Sequence, residues 1–144
     1  MNSSWNGEPK PPVNEPAEIV LDASAVLAAV LKEPGAVRVE RALKRGAAMS
    51  SVNVAEVAAC LSQDGVSSVT VARVVEELGV EIIPFDRQAA LLSGSYRMRT
   101  RRLGLGLGGR ACLATASRLG LPALTADRSW DDLDIDGVNV MQIR

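Results

Sequence analysis

The chain contains no histidine. That absence excludes Ser-His-Asp hydrolysis, His-based ribonuclease chemistry and any imidazole metal site. Acid–base or metal chemistry must therefore rest on Asp and Glu. Aromatic residues make up only 3% of the sequence, so its core must be built from Val, Leu, Ile and Ala. Such a core suits buried parallel strands flanked by helices. Two cysteines, Cys60 and Cys112, lie in apolar helical patterns and read as buried free thiols, as in a reducing, cytoplasmic compartment. No apolar run reaches membrane-spanning length, and the N-terminus lacks the basic-then-apolar order of a secretory signal. A net charge of −1 gives no global attraction to nucleic acid, so a polyanion site would have to be a local patch.

What is present is one domain's worth of chain: 144 residues, 47% of them apolar. Residues 1–16 hold four prolines and read as a flexible tail, with Trp5 its one aromatic; residues 17–144 read as the folded domain. "IVL" (19–21) predicts a short buried strand ending at Asp22, and Ser24 is placed to cap the next helix. Helices are expected over "AVRVERALKR", "NVAEVAACLSQ", "SVTVARVVEEL" and "GRACLATASRLG", and strands at "AAMSS", "VEIIP", within "LPALTADRSW" ending near Asp127, and at "VNVMQI". "DRQAALLSGSYRMRTRRL" reads as one long helix with a soft spot at its Ser-Gly-Ser. This alternation predicts an α/β fold with a mostly parallel sheet covered on both faces. Sites in such sheets form beyond the carboxyl ends of the strands, where strand order reverses.

Asp22 and Asp127 each follow a predicted strand, and Glu56 lies near the start of the helix after the second. Each has an ordinary structural use: Asp22 as a helix cap, Glu56 closing a capping box with Asn53, Asp127 shaping a turn. Together they place three carboxylates on one rim. Clustered acids need a neutralising cation, and Mg²⁺ or Mn²⁺, which take oxygen ligands, suit that role. Arg97, Arg99, Arg101 and Arg102 precede a glycine loop, and Arg110 follows it. They are either a solvated helix face or phosphate contacts beside the metal site; the latter is equipment for phosphodiester hydrolysis. The loop itself, "GLGLGG", matches the G-x-G-x-x-G dinucleotide fingerprint, but a basic helix precedes it where the fingerprint needs a strand. A phosphorylatable receiver domain would want an acidic pair after the first strand and a Lys after the last; only Asp22 follows the first.

"VLDASAVLAAVLKEPG", "SSVNVAEVAACL", "PFDRQAALLSGSYR" and "LPALTADRSWDDL" together resemble the PIN-domain nucleases, and most closely the VapC-like toxins of toxin–antitoxin pairs. The resemblance spans about residues 19–143. It implies a three-layer α/β/α sandwich and Mg²⁺-dependent endonucleolytic cleavage of RNA. It also implies homodimerisation and inhibition by an antitoxin whose tail covers the acidic site. It assigns Asp22, Glu56 and Asp127 to metal and catalysis, with Ser24, Asn53 and Thr125 supporting them, and gives Asp86 a helix-capping role. The family pattern carries "LGDRACLA" where this chain has "LGGRACLA", so Gly109 stands in place of a metal-site acid. The expectation is a ribonuclease toxin impaired by Gly109, or a catalytically silent module of the same fold that binds an antitoxin-like protein or RNA.

Overall fold

The computed structural model describes residues 16–144. The tail, Trp5 included, lies outside the described residues but for Pro16. Five strands form one sheet: β1 (Ile19–Leu21), β2 (Ala47–Ser50), β3 (Glu81–Ile83), β4 (Ala123–Thr125) and β5 (Val140–Gln142). Their order is β3-β2-β1-β4-β5 and every pairing is parallel. The chain winds outward from β1 in one direction through β2 and β3, then in the other through β4 and β5. Strand order therefore reverses between β1 and β4, and the ends of these two strands open the crevice where such sheets hold their sites.

Side chains alternate across the sheet with period two. Leu21, Met49 and Leu124 face one side and pack with Val26, Val57 and Leu61. These come from α1 (Ala23–Val30) and α3 (Ser51–Gln63). Two further helices, α2 (Ala36–Arg45) and α4 (Ser68–Leu78), add Val39, Val71 and Val74 to that core. On the opposite face Val20, Ala48 and Ala123 meet Cys112, Leu113, Ala114 and Ala116 of α7 (Leu107–Leu119). The small residues on both sides of that contact let α7 lie close to the sheet. The fold is thus the expected three-layer α/β/α arrangement, and among the described residues no helix is long and apolar enough to cross a membrane.

Three local expectations are corrected. The long helix is divided: α5 (Arg87–Ser95) ends at Tyr96, a four-residue α6 (Arg97–Thr100) follows, and Arg101–Leu103 forms a 3-10 turn. Ser95 Oγ donates to the Leu92 carbonyl (2.6 Å), which the Tyr96 amide would take in a continuing helix; that amide turns to the Ser93 carbonyl instead (3.2 Å). Ser24 does not cap α1; Asp22 holds the cap position and Ser24 lies in the first turn. Asn53 and Glu56 form no capping box, because Ser50 caps α3 by accepting the Val52 amide (3.2 Å).

Asp86 does cap α5, accepting the Ala89 amide (2.9 Å) and pairing with Arg118 of α7 (2.7 Å). These partners hold its carboxyl below the usual range. Both cysteines are free, Cys112 buried and Cys60 only half-buried.

Candidate functional site

Asp22 is drawn under the rim by its position at the end of β1, and is 7% exposed. Its Oδ2 accepts from Ser24 Oγ (2.6 Å) and from Thr125 Oγ1 at the end of β4 (3.0 Å). The same hydroxyl oxygens accept backbone amides: Ser24 that of Ala126 (3.0 Å), Thr125 that of Asp127 (3.0 Å). Each hydroxyl has one proton, and both are spent on Asp22. The 3.1 Å approach of Ser24 to Thr125 therefore reflects a shared acceptor rather than a third bond. The network stitches β1 to β4 at the switch point. Burial raises the Asp22 pKa, and the two hydroxyls, with the neighbouring amides, oppose that rise only in part.

Glu56 stands one turn above Asn53 on α3. Asn53 is completely buried, and its Nδ2 donates both to Glu56 Oε1 (2.9 Å) and to the carbonyl of Gly108 on α7 (2.9 Å). Glu56 as a residue is exposed. Partial cover of its carboxylate nevertheless raises its pKa; Asn53 opposes the rise and the charge of Asp22 adds to it. Glu56 thus lies within reach of the Asp22 charge. Cys112, four residues after Gly108 and so on the same face of α7, lies beneath them. Burial first, then Asp22 and Glu56, push its thiol well above the ordinary value.

Asp127 reaches this rim through its backbone, by the amide bonded to Thr125. Its carboxylate turns elsewhere: Oδ1 accepts the Ser129 amide (2.9 Å) and hydroxyl (2.7 Å), capping the 3-10 turn Arg128–Asp132. Asp131 accepts from Gln142 Nε2 (3.1 Å). Among the described residues no group of three His, Cys, Asp or Glu stands ready to hold a metal ion. The three-acid cup expected from sequence is thus a pair, Asp22 with Glu56, and a third acid engaged in capping. The donors at the pair are nonetheless hard oxygens, and Asn53 Oδ1 beside Glu56 is a buried acceptor with no partner. Two carboxylates whose ionisation burial opposes, with an orphaned amide oxygen, suit a divalent cation.

The expected helix start at Gly109 is also corrected. α7 begins at Leu107, with Gly106 as its cap and the Arg110 amide closing the first turn onto the Gly106 carbonyl (3.2 Å). The shift changes what each glycine faces. A Cβ on Gly108 would overlap the Glu56 carboxylate. A Cβ on Gly109 would instead lie 3.0 Å from Leu105 Cγ and 3.2 Å from Trp130 Cζ2, on the side of the turn that Asp127 caps. Gly108, and the nearness of the buried Cys112 to the two acids, escaped the sequence reading. Their four-residue spacing was the available signal, but it gains meaning only once the helix phase is fixed. Arg97, Arg99, Arg101 and Arg102 are exposed on the segment leading into this turn, and Arg110 is half-buried.

Thr125 tests the network directly. Replacing it with Val removes two hydrogen bonds and leaves the Asp127 amide without its partner. The expected cost is about 1–3 kcal/mol, read as a lower urea midpoint, with Thr125→Ser as the control that keeps the hydroxyl. An unchanged midpoint for Thr125→Val would count against the network.

Known structures of the same shape come from toxin–antitoxin complexes. A DNA-bound VapBC from Salmonella typhimurium aligns with a TM-score of 0.65 at 21% identity, covering 88% of this chain and 98% of that one. VapBC2 from Rickettsia felis, bound to a fragment of promoter DNA, gives 0.65 at 19% identity over 86% and 97%. VapBC-5 from Mycobacterium tuberculosis gives 0.59 at 24% over 88% and 99%. No curated protein matches the chain. The family model of the PIN domain matches residues 19–136, and with the sheet order and the paired carboxylates at its switch point already described, the chain belongs to the PIN-domain family.

Proposed function

We propose that this chain is a Mg²⁺- or Mn²⁺-dependent endoribonuclease of the toxin kind, weakened at Gly109, which acts in the cytoplasm as a homodimer and is held in check by an antitoxin protein. The observation that carries the reading is Asp22, buried at the β1–β4 switch point and held there by Ser24 and Thr125, with Glu56 within reach of its charge. Membership of a family of nucleases and likeness to VapBC complexes support it.

Asp22, Glu56 and the Oδ1 of Asn53 would hold the cation, with Asp127 turning from Ser129 to join them. Bound there, the cation would lower the pKa of a water and offset charge building on the scissile phosphate. Ser24 and Thr125 fix the orientation of Asp22. Glu56, at the exposed edge of the site, is placed to orient the attacking water and take its proton. Arg97, Arg99, Arg101, Arg102 and Arg110 supply cations for the RNA backbone, whose grip should weaken as salt rises.

The test is incubation of the purified chain with end-labelled RNA in Mg²⁺, in Mn²⁺ and in EDTA. Slow internal cleavage that EDTA abolishes is expected; cleavage indifferent to EDTA would overturn the proposal. A second reading, a silent PIN module that binds an antitoxin-like protein or RNA, is favoured by Gly109 and by the engagement of Asp127 with Ser129. Retained binding with no cleavage at high protein concentration would select it.

A further inference from the structure

Glu56 and any side chain at position 108 claim the same space. The three nearest atoms to a Cβ built on Gly108 are Oε1, Oε2 and Cδ of Glu56, all close enough to overlap it. Backbone freedom does not explain this glycine, because Gly108 lies within α7 and is absent from the positive-φ residues. A helical glycine costs stability relative to alanine, and here the missing side chain makes room for a carboxylate. Asn53 holds the carboxylate in that room: its one amide nitrogen bonds both Glu56 Oε1 and the Gly108 carbonyl, at 2.9 Å each. With Asn53 fully buried, α3, α7 and the acid are fixed by a single side chain.

We infer that Gly108 is a positioning residue for Glu56: the bare turn of α7 at Gly108, bridged by Asn53, sets where the Glu56 carboxylate stands relative to Asp22. The inference rests on the reading of Glu56 as a site acid, and it locates the demand for glycine at 108 rather than at 109. Any side chain at 108 pushes Glu56 off the turn, breaks its bond to Asn53 and separates the two carboxylates.

A double-mutant cycle decides this. Gly108→Ala, Glu56→Ala and the double variant are prepared, and two quantities are measured: the metal-free melting temperature and the affinity for Mn²⁺ alone. In the parent background Gly108→Ala should weaken Mn²⁺ binding at least tenfold, and its Tm should gain less than the full helix preference of alanine, because the Glu56–Asn53 bond is lost. In the Glu56→Ala background that loss is absent. There only the helix preference of alanine remains, and Gly108→Ala should raise the Tm by about 3 °C while leaving Mn²⁺ affinity where Glu56→Ala set it. Equal Tm shifts in the two backgrounds would overturn the inference. Should Gly108→Ala fail to fold, rescue by Glu56→Ala supports the inference and failure of both variants overturns it. If the parent itself binds no Mn²⁺, the metal reading of Glu56 is lost, while the melting cycle still decides whether residues 56 and 108 share one space.

Discussion

Replacing Gly109 with Asp is expected to raise Mn²⁺-dependent RNA cleavage on the order of 10²-fold, the scale on which a missing group around a metal ion alters affinity or activity. The first turn of a helix favours a carboxylate, through its free amides and its dipole. Residue 109 lies in the first turn of α7, which has no acid there. The new side chain would start between Leu105 and Trp130, at 3.0–3.2 Å, so these neighbours must yield by a few tenths of an ångström. That crowding offsets the local electrostatic gain, and overall stability should change little. The carboxylate would start on the side of the 3-10 turn that Asp127 caps, clear of the space at Gly108 that the Glu56 carboxylate fills. Gly108→Asp is the informative control. It adds the same charge one residue earlier, where the Glu56 carboxylate already stands, and should abolish metal binding instead of improving it. Equal, robust cleavage by the parent and Gly109→Asp would show that the chain is not impaired by its glycine.

The contrast between these adjacent positions shows what the sequence could and could not reveal. The sheet was legible because short apolar runs such as Ile19–Leu21 alternate with helical patterns along the chain. Asp22 was legible because a short apolar run ends at it. The capping role of Asp86 was legible from its place just before a helical pattern. The phase of α7 was not, because glycines at 104, 106, 108 and 109 carry no apolar periodicity that would fix its first residue. A start at Leu107 brings Gly108 into the helix, where it faces Glu56. The direction of the Asp127 carboxylate was equally hidden. It depends on whether a nearby hydroxyl and amide, those of Ser129, outcompete the site at the neighbouring strand β1, and spacing along the chain does not record that contest. The break at Tyr96 followed from a hydroxyl bonding back onto a carbonyl, which helix preference alone does not reveal.

Asp22→Asn should produce the largest loss, roughly 10³-fold or more in metal-dependent cleavage, equivalent to several kcal/mol of charge stabilisation. The same substitution should stabilise the metal-free fold at neutral pH, and the sign follows from linkage. Burial raises the Asp22 pKa, and burial with the Asp22 charge raises that of Glu56. Between the ordinary carboxylate value, about 4, and each raised value, the native state binds more protons than the unfolded chain. Stability from these groups therefore falls as pH rises through that window and stays low above it. Asn cannot ionise, yet its carbonyl oxygen still accepts from Ser24 and Thr125, so the variant escapes the cost of a buried charge while keeping much of the network. Chemical denaturation from acid to neutral pH should show the parent losing ground against Asp22→Asn as pH rises. Added Mn²⁺ should restore the parent, because the cation binds the ionised form that burial disfavours, and should leave the variant almost unmoved. An Asp22 that serves only the fold would still show the pH-dependent gap, because burial alone produces it, but Mn²⁺ would not close that gap and Asp22→Asn would leave cleavage unchanged.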